Sequence, residues 1–172
     1  MENWAFISSR MQFLKYVAGV MAFPPTFGWF HSQHSQNLMA SSVETPCEPT
    51  PPDMLGLFYK SNAPVRDWVG YGYTLTGKVL SVGSCTPLVG ARLEFWLASP
   101  NGLYSDEYRA TMFSREDGSY RFMSHFPPPY SSRPPHIHIR VTAPGYEELV
   151  TQHYPERGTT AAQFPLVLSP KS

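Results

Sequence analysis

Arg133-Pro134-Pro135-His136-Ile137-His138-Ile139 is the stretch whose reading decides the fold. A basic residue and two prolines lead into His-x-His, and β-branched residues continue the run to Val141 and Thr142. Strand side chains alternate between two faces, so residues two apart share one. A strand over 136–143 therefore turns both imidazoles one way and Ile137 and Ile139 the other. One face suits an apolar core. The other carries two nitrogen donors about 7 Å apart along the backbone, close enough to converge on one metal ion. Taken alone, the pair also fits two hydrogen-bonded structural histidines.

Outward from this strand, short alternating runs recur between turns. Residues 71–82 read as a first strand, with Leu75 and Val79 set against Thr74, Thr76 and Lys78. Gly83 to Gly90 is turn chemistry. In 91–97, Leu93, Phe95 and Leu97 share one face, and Arg92, Glu94 and Trp96 the other. That places Trp96 either in a second core or on a pocket wall. Residues 110–114 and 119–124 flank Asp117-Gly118, a hairpin signal. Phe126-Pro-Pro-Pro-Tyr130 is a stiff polyproline-like elbow. Further strands are expected at 149–153 and 164–168. Five to seven short strands at this spacing predict an all-β fold, an antiparallel β-sandwich with long loops.

Composition agrees. Of 172 residues, 18 are Pro, 10 Tyr and 11 Phe, which favours a loop-rich β domain over a helical one. The length fits one domain with extensions. The formal charge is zero, so the chain lacks the basic footprint of a nucleic-acid binder. No window reaches the ~18 uninterrupted apolar residues of a membrane span. Residues 1–44 read as a leader, disordered or signal-like. The apolar run 11–23 has about the length of a signal core, but Glu2 precedes Arg10 and Lys15, a weak basic start. His31 and His34 lie in that polar leader and are not taken as ligands. The domain is expected over 45–170. Cys47 and Cys85 are too far apart for a CxxC motif and are either buried thiols or one bridge.

Tyrosines recur at the turns near the His-x-His strand: Tyr104 after Asn101-Gly102-Leu103, and Tyr130 after three prolines. No Cys or carboxylate lies nearby at ligand spacing, which disfavours structural zinc. With these segments in view, roughly two thirds of the chain resembles the intradiol ring-cleavage dioxygenases, the family of protocatechuate 3,4-dioxygenase and catechol 1,2-dioxygenase. The resemblance runs in order through Leu75-Thr-Gly-Lys-Val79, Pro87-Leu-Val-Gly-Ala-Arg-Leu-Glu-Phe-Trp96, Gly102-Leu-Tyr104, Asp117-Gly-Ser-Tyr-Arg-Phe122, Pro129-Tyr130, Arg133 to His138, Ala143-Pro-Gly-Tyr146 and Leu149-Val-Thr-Gln152. Gly56-Leu-Phe-Tyr59 resembles a Gly-Pro-Phe-Tyr segment of relatives. Leu57 stands in place of that Pro, which leaves the path of the arm open.

The resemblance implies a non-haem Fe(III) held by Tyr104, Tyr130, His136 and His138. Arg133 and Gln152 line the pocket in this reading. The implied substrates are a catechol-type aromatic and O2. The ring opens between its two hydroxylated carbons, Tyr130 acting as an internal base and Arg133 stabilising negative charge. Phenolates suit such a hard cation, because a bound ion reverses the usual pKa order. Two phenolates and a hydroxide would balance its three charges. The role is aromatic catabolism or secondary-metabolite tailoring. A non-catalytic β-sandwich binding module that keeps the fold is the alternative. Arg109 and Arg121 are read as sheet-face cations, and His125 and His153 as rim or structural residues. Some secreted relatives carry cysteines in similar places, so a Cys47–Cys85 bridge is implied, with secretion expected if the leader is a signal and a cytoplasmic location otherwise. Oligomeric state and ring substituents are open, the latter because they depend on loops such as 105–108 and 131–132.

Overall fold

The computed structural model describes residues 47–172; the leader lies outside them. Eight strands form two sheets. In the first, β1 (Tyr73–Ser81) pairs antiparallel with β4 (Ser119–Ser124). On its other edge β1 pairs in parallel with β7 (Ala161–Gln163) and then with β8 (Leu166–Leu168). The second sheet has the order β3 (Arg109–Phe113), β2 (Arg92–Trp96), β5 (Ile137–Thr142), β6 (Leu149–His153), antiparallel throughout. A 3-10 turn, Asp106–Tyr108, precedes β3. The all-β expectation holds, with one departure: the first sheet is mixed.

Period-two patterning explains which side chains go inside. Tyr73, Leu75 and Val79 of β1 are buried while Thr74 and Lys78 are not. Leu93 and Phe95 of β2 join Ile137, Ile139 and Val141 of β5 in the core. Phe95 stacks on Phe122 across the two sheets, with centroids 4.3 Å apart. Truncating one of these fully buried side chains to Ala costs about 2–5 kcal/mol. Gly77 sits where β1 meets the chain entering β8: an added Cβ would stand 2.2 Å from the Phe164 carbonyl oxygen. That space admits no side chain.

The expected hairpin is a correction. The turn forms, with Gly118 N–H donating to Arg115 O at 2.9 Å. Yet β3 pairs with β2 and β4 with β1, so the chain crosses between sheets there. Two contacts pull its halves apart. Ser114 Oγ donates to Leu88 O at 2.6 Å, and Val79 N–H donates to Gly118 O at 2.9 Å. Cys47 and Cys85 are disulfide-bonded. The bridge anchors the start of an arm, 47–59, that runs across the outer face of the second sheet.

Candidate metal centre

β5 places His136 just before its first residue and His138 inside it, both on the outer face and almost fully buried. The imidazoles meet at nearly a right angle, with centroids 4.8 Å apart. The loop before the 3-10 turn brings Tyr104 over them. Its hydroxyl lies 3.1 Å from His136 Nε2 and 3.2 Å from His138 Nε2. His136 Nδ1 stands 2.7 Å from Pro134 O, and a carbonyl only accepts. Nδ1 therefore carries the proton, and the Nε2 lone pair faces Tyr104. The Arg-Pro-Pro lead thus sets the histidine tautomer.

Tyr130 reaches the same place from its elbow, turned back by a Tyr130–Arg133 bridge. Its ring meets Tyr104 edge-on at 5.2 Å. Its hydroxyl forms no hydrogen bond with Tyr104, His136 or His138. These four residues, with Arg133, Met54, Gly56, Leu57 and Phe58, line a cavity of about 280 Å³. Gln152 stays behind it: buried opposite His138, it accepts from Arg133 Nη2 at 2.9 Å and donates to Met54 O at 2.8 Å. A larger groove of about 570 Å³ over Phe126–Pro129 and Arg157–Thr160 holds no comparable chemistry.

The arm and several sheet residues surround these groups. The arm closes the cavity: Phe58 stacks on Tyr104, with centroids 4.6 Å apart, from a backbone at φ +74°. Trp96 does not line the cavity; it lies buried behind His138, stacked on that imidazole with centroids 4.8 Å apart. Arg109 is a sheet-face cation as expected, but a buried one, held by Asp106 at 3.3 Å. His125 is structural, donating from Nε2 to Ala98 O at 2.8 Å. His153 faces the opposite way from Gln152 and pairs with Tyr73 at 2.6 Å. Arg121 is exposed.

Burial dominates the electrostatics. It pushes the Tyr104 phenol up to about 12, against the pull of Arg133 and Arg109. It lowers His138 to about 3, helped by His136 and Arg133, and lowers His136 as well. Both imidazoles are thus neutral donors at pH 7, as metal coordination requires.

Several known proteins are similar to this chain in sequence or in fold. A chlorocatechol 1,2-dioxygenase of Rhodococcus opacus is 34% identical over 138 residues, covering 58% of this chain and 53% of its own. An intradiol ring-cleavage dioxygenase of Aspergillus niger is 30% identical over 149 residues, covering 66% of this chain and 47% of its own. The solved dioxygenase domain of a dioxygenase–carbohydrate-binding fusion from Streptomyces sp. SirexAA-E superimposes with a TM-score of 0.65 at 28% identity, over 72% of this chain and all of that domain. This chain is a homologue of the intradiol ring-cleavage dioxygenases. It spans about half the length of the curated relatives it matches. No family model matches it.

For an intradiol homologue the question is whether the residues fit ferric iron, and the donor set does. One phenol proton cannot serve two Nε2 lone pairs, and His138 Nδ1 is buried without a partner. With the His138 proton on Nδ1, a cation satisfies the phenol oxygen and both nitrogens together. Among the described residues no three His, Cys, Asp or Glu cluster, so a zinc-type ligand set is not assembled there.

Proposed function

We propose that this chain binds Fe(III) through Tyr104, Tyr130, His136 and His138 and cleaves a catechol-type ring between its two hydroxylated carbons. The observation that carries the reading is the approach of one phenol oxygen to both Nε2 atoms, at 3.1 and 3.2 Å, beneath a cavity sized for a single ring. When bound, the ion would supply a Lewis-acidic centre for the catechol oxygens and would favour the phenolate forms of its ligands.

The side chains do the rest. His136, fixed through Pro134 O, and His138, backed by Trp96, hold the site rigid. Tyr130, whose Oη makes no hydrogen bond to Tyr104, His136 or His138, would in its phenolate form take a proton from the catechol. Phe58 and Leu57 line the cavity beside it. Arg133 stabilises negative charge that develops on the ring, a fixed cation in a partly dry cavity. The carbon–carbon bond breaks, and both atoms of O2 enter a cis,cis-muconate. The Cys47–Cys85 bridge supports an oxidising compartment as the place of action.

Ferric loading of the 172-residue chain tests the ligand set. A broad visible band from phenolate-to-iron charge transfer is expected, altered separately by Y104F and by Y130F. A colourless iron-loaded protein overturns the reading.

A further inference from the structure

We propose that Tyr154 and Asp53 are positioning residues that orient the Arg133 guanidinium over the cavity through a hydrogen-bonded ring closed by the arm. The inference rests on the function proposed above, and no step of that function uses either residue.

Arg133 Nη2 points at two oxygens, Gln152 Oε1 and Tyr154 Oη, each at 2.9 Å. A guanidinium has five donors and no acceptor, so the Tyr154 oxygen must accept. Its single proton then goes to Asp53 Oδ2, at 2.7 Å, rather than to Gln152 Oε1, which is farther at 3.3 Å and already accepts from Arg133. The chain of donors therefore has one direction, from guanidinium to phenol to carboxylate. The second Asp53 oxygen accepts the Met54 N–H at 2.6 Å, which fixes the carboxylate plane. The other branch returns to the same place, since Gln152 Nε2 donates to Met54 O at 2.8 Å. Asp53 N–H donates to Val150 O at 2.8 Å, clamping the arm to β6. Both branches that leave Nη2 thus end on two consecutive arm residues.

The arrangement suits a cation that must act in one orientation. An arginine on a free stem samples many rotamers, and its effect on charge in a transition state depends on preorganisation. The ring occupies Nη2. Nη1 makes only a 3.5 Å contact with Met54 Sδ and stays available to the cavity. No ion pair joins Asp53 to Arg133 directly, so the carboxylate compensates the cation through the phenol without drawing it away from the pocket. Such chains strengthen cooperatively, so loss of the middle member should be felt at Nη2.

Two measurements on the 172-residue chain test this. The first needs neither iron nor turnover: NMR of the Arg133 guanidinium in the metal-free protein. Slow rotation about the Cζ–Nη2 bond is expected in the wild type and faster rotation in Y154F and D53N, with thermal midpoints close to wild type. Unchanged rotation in Y154F overturns the proposal. The second is a kinetic cycle on the iron-loaded protein. Y154F should lower kcat about tenfold with little change in KM, and should cost nothing further in an R133Q background. Equal losses in both backgrounds overturn the positioning role. A wild-type protein that cleaves no catechol would defeat the functional reading alone, and the NMR result would still decide the ring.

Discussion

Trp96 and His138 lie face to face across neighbouring strands, ring planes 2° apart and centroids separated by 4.8 Å. The pairing follows from register, because Trp96 of β2 stands opposite His138 of β5. The indole is 1% exposed and is the surface against which the imidazole is held. W96F should keep the fold and weaken iron binding about tenfold, the low end for residues that support a metal ligand. W96A should also destabilise the domain by about 3–5 kcal/mol. Chelator competition and urea unfolding separate the two effects.

Gly56 is the point where the arm crosses the centre. A Cβ there would stand 2.6 Å from His138 Cε1, and the backbone is at φ +72°. The close approach to His138 demands glycine and the backbone angle favours it, since a side chain in this region costs about 1–2 kcal/mol before any clash. G56A should displace the arm or the imidazole and lower iron affinity, measured by the same competition titration. A variant that binds iron like wild type would show that the arm yields freely.

His153 sets part of the acid sensitivity. Burial lowers it to about 4, below its ordinary 6.5, so the unfolded chain binds the proton more readily than the folded one. Stability is therefore complete above about pH 6.5 and is lost as pH falls toward 4, by roughly 3 kcal/mol in all. The groups facing it are Tyr73, at 2.6 Å, and the ring of Phe164. H153Q should flatten this part of the curve of unfolding free energy against pH, leaving the further loss at lower pH from carboxylates such as Glu148, which Arg140 holds below its ordinary value.

The Cys47–Cys85 bridge spans 38 residues. Loop entropy alone gives it about 4 kcal/mol of stability. C47S/C85S should lose up to that amount in chemical denaturation. Iron binding should survive, because the arm keeps its backbone hydrogen bonds to Val150 and Val167.

The strand signals were legible where burial is one-sided. Leu149–His153 was read to the residue, and the His-x-His strand to within one. The turn at Asp117-Gly118 was also real, but a turn does not say which strands its arms will join, and Ser114 and Gly118 answer that through distant contacts. β7, Ala161–Gln163, is too short to show a pattern and depends on β1 for its pairing. Period two already kept His153 off the face that carries Gln152, so its core position could have been read. The Tyr154–Asp53 contact could not, because 101 residues separate the pair and only the fold of the arm joins them. The Tyr104 and Tyr130 placements came from the family resemblance, since no periodicity marks a tyrosine in a loop.

Turnover of catechol by the iron-loaded chain under ¹⁸O₂ tests the central claim most directly. The account predicts oxygen uptake equal to catechol consumed and a ring-opened dicarboxylate carrying two ¹⁸O atoms, abolished in H136A/H138A. A product cleaved outside the hydroxylated carbons, or no uptake across a panel of catechols by fully loaded protein, would contradict it.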